Sequence, residues 1–173
     1  MDKIYHLLRK LELQKHKVSS FDFQLSEVTK AEHFGIIYSV DSDQNQIEKL
    51  VNMLKSEGKK VKCLGFVSSK ITHRKLISNY LYTYISKKEC NWWGRPIQKE
   101  IDPFVQTTFD VVYSLDSQFL FPLQYITNVI SAKIKCGFRN EQFPHLVDIA
   151  LVNKDIDFLH FHNFVKNISI NAG

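Results

Sequence analysis

The residues best suited to chemistry stand where strands should end. In open parallel sheets ligands settle outside the carboxyl ends of the strands. Here the apolar runs close on Asp41-Ser42-Asp43, on Ser68-Ser69, on Asp116-Ser117 and on Arg139. Such a rim could hold a nucleotide, sugar or phosphate, or support transferase-type chemistry with Asp41 or Asp116 as general acid or base. Each Asp and Ser is also what a helix N-cap requires. The turn after the first run, SVDSDQ, contains neither GxGxxG nor GxxxxGK[ST], so no dinucleotide or P-loop site is indicated and no cofactor is expected. His160 and His162, with Asp155 and Asp157 nearby, have the composition of metal ligands. On a helix, however, residues two apart point about 200° apart, and no metal is expected. Cys63, Cys90 and Cys136 form no CxxC pair and have no adjacent histidine, and no GxSxG is present. Disulfide frameworks, zinc knuckles and nucleophilic triads therefore lack a signature.

A second set of residues is suited to binding. Cys90-Asn91-Trp92-Trp93-Gly94-Arg95-Pro96 carries both tryptophans beside a Gly and a Pro that force a turn. The tryptophans could stack on a base, a sugar or a partner side chain, or anchor a crossing loop with Arg95 answering a carboxylate. The net charge of +5 is uneven: residues 1–100 hold 18 Lys/Arg against 11 Asp/Glu, and residues 101–173 hold 5 against 7. Between Lys55 and Lys75 lie seven Lys/Arg and one acid, Glu57. Such a run attracts phosphate-rich partners, and it equally serves as a solvated rim. The binding residues indicated are Lys59, Lys60, Lys62, Trp92, Trp93, Arg95 and Arg139. The strand-end rim of Asp41, Ser42, Ser68, Asp116 and Ser117 is the alternative.

The elements that must position these groups follow from periodicity. Phe109 to Arg139 reads as a complete strand, turn, helix, strand unit. Val111, Val112, Tyr113 and Leu115 form the strand, Asp116-Ser117 the turn and N-cap, and Pro122 lies in the first helical turn. Leu123, Ile126, Thr127 and Ile130 repeat at helical spacing, Lys133 closes the helix, and Ile134, Cys136 and Phe138 begin a second strand. Strands joined this way are parallel and need layers on both faces. Residues 33–40 form an earlier buried strand, and Asp43 and Gln46 stand at capping-box spacing before a helix through Ile47, Leu50, Val51 and Leu54 that stops at Gly58. Residues 61–67 form the next strand. Over residues 70–89 the stripe Leu76, Ile77, Tyr80, Leu81, Tyr84, Ile85 favours helix, although LYTYIS alone suits a strand. A last strand is expected over residues 146–152, then a helix capped by Asp155. At the other end, Ile4, Leu7, Leu8 and Leu11 mark a basic amphipathic helix. It could dock on its own domain, reach an anionic partner, or pair with another subunit. Residues 19–32 read as a connector with a short strand around residues 21–25.

The 173 residues are expected to form a single α/β domain: an N-terminal helix and connector over 1–32, then a Rossmann-like three-layer core over 33–173. A mainly parallel sheet of about five strands is expected. No segment is apolar enough to span a bilayer and the charged N-terminus lacks a secretory core, so the cytoplasm is expected.

The stretches Lys59 to Phe66 (KKVKCLGF), Lys87 to Pro96 (KKECNWWGRP), FDVVYSLD, PLQYI, SAKIKCGF and VDIAL together resemble a domain family of unknown function from Bacteroidota-type bacteria. The resemblance runs from about Phe34 to Val152, and it implies no activity. A weaker one, over Phe109 to Arg139 alone, is to the N-terminal domain of lipopolysaccharide heptosyltransferases. Those enzymes hold the sugar nucleotide with a second Rossmann-like domain, so this likeness bears on fold rather than on a complete glycosyltransferase. The combined reading is a non-catalytic binding or accessory protein that meets an anionic macromolecule, RNA or a ribonucleoprotein. A strand-end small-molecule site and a self-associating N-terminal helix are the alternatives.

Overall fold

The computed structural model describes residues 2–15, 25–68 and 76–171. Its helices are α1 (Asp2–Lys15), α2 (Val40–Ser56), α3 (Gln98–Val105), α4 (Phe121–Val129) and α5 (Phe158–Asn171). Its strands are β1 (His33–Ser39), β2 (Lys60–Val67), β3 (Tyr82–Ser86), β4 (Phe109–Leu115), β5 (Ala132–Phe138) and β6 (Ile149–Leu151). They form one six-stranded sheet in the order β3-β2-β1-β4-β5-β6, parallel at every pairing. The expected parallel α/β architecture is present, with six strands in place of about five. Successive residues on a strand face opposite ways, and two cores result. Ile36, Tyr38, Cys63, Val111, Tyr113 and Cys136 meet α2 and α5 on one face. Ile37, Leu64, Phe66 and Val112 meet α1, α3 and α4 on the other.

Several boundaries differ from the periodic reading, each for a local reason. The extra strand is β3, inside the stretch where the apolar stripe favoured helix. Asn79 Oδ1 accepts from the amides of Leu81 and Tyr82, which turns the chain into an extended edge strand on β2. Ile77 and Tyr80 of the supposed stripe are exposed. Helix α2 begins directly at Val40 after Ser39, so Asp41-Ser42-Asp43 falls inside its first turn and does not cap it from outside. Helix α5 is capped by Asp157, whose Oδ1 accepts from the amides of Leu159 and His160, and not by Asp155. The last strand shrinks to Ile149–Leu151 behind a 3-10 turn at Pro144–Leu146. The short strand expected around residues 21–25 lies mostly outside the described residues, and Leu25 opens a 3-10 turn.

Helix α4 ends at Val129, and Lys133 does not close it. Lys133 pairs with Asp110 at 2.9 Å. The closing cation is Lys135, in the middle of β5 and buried, whose Nζ donates to the carbonyls of Thr127 at 2.8 Å and Asn128 at 3.5 Å. The last carbonyls of a helix lack intrahelical partners and carry partial negative charge; a buried ammonium answers both needs. Burial pushes the Lys135 ammonium down to about 8, against the opposing pull of Asp148.

Two outcomes follow from this packing. A Cβ on Gly137 would run into the backbone carbonyl of Ser114 on the neighbouring strand, and backbone cannot move aside cheaply. Gly137→Ala is expected to destabilise the protein by about 3 kcal/mol, lowering Tm by roughly 6 to 12 °C in a thermal melt; an unchanged Tm would contradict the packing. For Lys135, the folded protein releases the proton near 8 and the unfolded chain near about 10.4. Between those values the unfolded chain holds more protons, so this group's contribution to stability rises with pH. Urea midpoints of wild type and Lys135→Met are expected to shift in favour of wild type between pH 7.5 and pH 9.5, the common titrations cancelling in the difference. A constant gap would place the ammonium in solvent.

Candidate functional site

The sheet order reverses between β1 and β4, the position where open α/β sheets receive ligands. The carboxylates beside that position are hydrogen-bonded within the chain. The carboxylate of Asp41 accepts from both the amide and the hydroxyl of Ser68 at 2.6 Å each. The buried carboxylate of Asp116 accepts from the amides of Gln118 at 3.1 Å and Leu120 at 2.6 Å, shaping the turn into α4. Within that turn Phe119 is left-handed, with φ 55°. Ser117 offers its carbonyl to Lys154, and the side chain of Ser42 and all of Ser69 lie outside the described residues. Arg139 of the rim lines a cleft. It opens between the ends of β5 and β6, holds about 480 Å³, and is shared with Gln124, Asn140 and Lys154. Arg139 is itself paired with Glu141 at 3.1 Å.

The NWWGRP segment is a loop built around one side chain. Asn91 Oδ1 accepts from the amides of Trp93 and Arg95, the Asn91 amide donates to the carbonyl of Arg95, and Gly94 supplies the left-handed turn at φ 95°. The loop clamps α1 onto α4. Trp93 packs on Phe121 and takes the Nε–H of Arg9 on its carbonyl. Arg95 lies over the Tyr125 ring and pairs at 3.2 Å with Glu12, a nearly buried carboxylate that Lys15 also reaches. Beyond it, Asn128 Nδ2 donates to the carbonyl of the buried Leu13.

Helix α1 thus docks on its own chain, through a face other than the apolar stripe. Glu12 and Leu13 are buried and Arg9 reaches the loop, whereas of the stripe Leu8 is half-buried, Ile4, Leu7 and Leu11 are exposed to 60%, 56% and 46%, and Trp92, edge-on to Tyr5, is exposed to 71%. A groove of about 490 Å³ runs between Leu11 and Arg95 along the α1–loop seam.

The lysines indicated for binding sit elsewhere. Lys59, Lys60 and Lys62 stand at the amino edge of β2, and Arg139 follows the carboxyl end of β5, about 23 Å away at the rise of a seven-residue strand. Lys59 donates to the carbonyl of Ala31 at 2.7 Å and Lys62 to Thr107 Oγ1 at 2.9 Å; only Lys60 of the three is exposed. The seven binding residues therefore do not form one surface.

At the same amino edge lies a constellation that spacing did not reveal. His162 of α5 points inward while His160 faces solvent. His162 Nδ1 meets the Tyr113 hydroxyl at 2.8 Å, and its Nε2 lies 3.8 Å from Glu57 Oε2, which Lys166 holds through Oε1 at 2.9 Å. Burial pulls the His162 imidazolium below its ordinary value, with Glu57 opposing. The Lys166 hydrogen bond draws the Glu57 carboxyl down. The available signal was a polar residue in the apolar stripe Phe158, Phe161, Val165 of α5. Among the described residues no three His, Cys, Asp or Glu side chains converge on a metal position, and no helix is long and apolar enough to cross a membrane.

The clamp makes a measurable claim. In a double-mutant cycle on Glu12→Gln and Arg95→Met, the two substitutions are expected to couple by about 1 kcal/mol, with faster hydrogen exchange of α1 amides in Arg95→Met. Additive effects and unchanged exchange would mean that the ion pair does not hold the helix.

No curated protein and no solved structure is significantly similar to the chain. A family model does match, over residues 3–168; it takes in α1, the NWWGRP loop and the whole sheet. The chain belongs to a family of unknown function (DUF6913).

Proposed function

We propose that the protein is a non-catalytic binding module that meets an anionic macromolecule through the outer face of α1 and the Trp92 loop. The observation that carries this is the exposure of Ile4, Leu7 and Leu11 on a helix pinned by its opposite side. A preorganised helix with apolar side chains at i, i+3 and i+7 suits a hydrophobic groove. Lys3, Lys10 and Lys15 alongside that stripe suit a groove with an acidic rim. The aliphatic stripe favours a protein surface, including the protein part of a ribonucleoprotein, over bare RNA. Stacking of bases would rest on Trp92 alone. Self-association through α1 is less favoured, because an α1–α1 pair would bring like charges together. Lys59, Lys60 and Lys62 lie at another edge and have no part in this reading.

A second reading attaches to the cleft at Arg139 and Lys154, with Asn140 and Gln124 beside the cations. It suits a small anionic ligand such as a sugar phosphate, in keeping with the local likeness to heptosyltransferase N-terminal domains.

A photo-crosslinker at Leu7 tests the docking face, with one at Lys49 on the exposed side of α2 as control. The expected result is a Leu7-specific protein adduct that survives nuclease, weakens as salt rises, and is lost with Ile4→Glu. Peptide mapping should place it on an acid-rich segment. A nuclease-sensitive adduct would replace the reading with RNA binding, and a doubled mass of this chain would replace it with self-association. Equal labelling at both positions would overturn the docking face.

A further inference from the structure

The constellation around His162 encloses a cavity of about 230 Å³ between the 3-10 turn Leu25–Lys30, the start of β1, the end of α2 and helix α5. Its walls are Val28, Thr29, Phe34, Glu57, Lys59, His162 and Lys166. The lining combines apolar surface with two ammoniums, one carboxylate and one imidazole.

The protonation of the imidazole follows from its neighbours. Tyr113 is fully buried and burial holds its phenol well above the ordinary range, so the hydroxyl keeps its proton. Its hydrogen-bond contact is His162 Nδ1. A buried hydroxyl proton needs an acceptor, so the phenol donates to Nδ1 and the neutral ring carries its own proton on Nε2. That Nε2–H is buried on a residue 3% exposed that lines the cavity beside Glu57, and has no hydrogen-bond partner. Glu57 Oε2, at 3.8 Å, is too far to accept it. Buried donors in folded proteins are almost always satisfied, so the arrangement asks for a group that accepts from Nε2–H.

We propose that this cavity is a binding site for a small hydroxy acid, whose hydroxyl bridges His162 Nε2 and Glu57 and whose carboxylate faces Lys59 and Lys166. A hydroxyl is the group that can accept from Nε2–H and donate to the nearby carboxylate at once. Lys59 gives one of its three N–H bonds to Ala31, and Lys166 stands beside Glu57 at the mouth; both supply positive charge for a ligand anion. Phe34 and Val28 cover the carbon skeleton. The cavity volume is below the usual range for drug-sized ligands, which limits the ligand to a few carbons. The site lies at the amino edge of the sheet and shares no residue with the α1 face.

The test uses the full chain with histidine rings labelled with ¹⁵N, titrated with lactate, glycerate, malate, acetate, propionate, glycerol and inorganic phosphate. The expected result is a saturable shift of the His162 Nε2–H resonance by at least one hydroxy acid, with the plain acids and glycerol at least tenfold weaker. The surface-accessible variant Glu57→Gln should weaken that binding at least tenfold while the wild-type fold persists. His162→Gln should abolish it; should that chain not fold, Lys166→Met, also weakened tenfold, serves in its place. Phosphate or acetate binding as well as the hydroxy acids would overturn the bridging role of the hydroxyl. No shift of the Nε2–H resonance by any of the seven probes would overturn the site.

Discussion

Strand β1 ends at Ser39 and helix α2 begins at Val40 with no residue between them, and much of the molecule answers to that junction. A chain that turns from extended to helical within one peptide leaves no loop, and the first helical side chain must pack on the neighbouring strand. Val40 does so on β2, where a Cβ at Gly65 would lie 2.6 Å from its methyl group; glycine is the residue that fits. The first turn then carries Asp41, and a carboxylate at a helix N-terminus is favoured by the helix dipole. Its oxygen is taken by Ser68 from the end of β2. The position where related strand orders cradle a phosphate thereby carries a negative charge, hydrogen-bonded to a hydroxyl. A dinucleotide would have to displace both.

The same economy governs the basic residues. Lys135 answers the last carbonyls of α4, Lys62 reaches the carbonyl of Pro103 in α3, and Lys59 holds the carbonyl of Ala31. Each sits in parallel α/β architecture where helix ends crowd the amino edge of the sheet and expose orphan carbonyls. Lysines placed there complete backbone hydrogen bonding before they offer charge to any partner. Among the described residues of the basic first half, Lys59 and Lys62 are thus engaged by backbone carbonyls.

The units that read directly from the residues were those with continuous apolar runs: β1, α2, β2, β4, α4 and β5, each buried on both faces or along a clean stripe. Burial on both faces is a local property of composition, and it survives without knowledge of neighbours. The edge strand β3 was hidden because Leu81, Tyr84 and Ile85 continue a helical stripe while YTYIS alternates as a strand, and Asn79 decides between them by accepting from the amides of Leu81 and Tyr82. Lys133 and Lys135 share a face of β5 and differ in their position along it: Lys133 meets Asp110 near the exposed start of the strand, and Lys135, paired with Val112, lies buried beneath the end of α4. The anchoring of Trp93 and Arg95 was open to reasoning from an aromatic and cationic turn, but their partners, Phe121 and Arg9 for Trp93 and Glu12 for Arg95, were not. Contacts such as Tyr113 to His162 join β4 to α5 at a sequence separation of 49, and no spacing rule reaches that far.

The docking of α1 carries the functional argument further than charge does. Turning the helix by nearly half a turn would bury Ile4, Leu7 and Leu11, each worth about 1.5 to 3 kcal/mol when fully removed from water, and would return Glu12 to solvent. The observed orientation keeps a carboxylate buried and three aliphatic side chains wet. It is fixed by specific groups: Trp93 and Arg95 on one side, Asn128 on the other. For stability alone the apolar face would be inside. A loop that holds the helix with that face outward makes sense when something else covers it, and isolated exposed leucines, which are ordinary on protein surfaces, do not come with a clamp that aligns them.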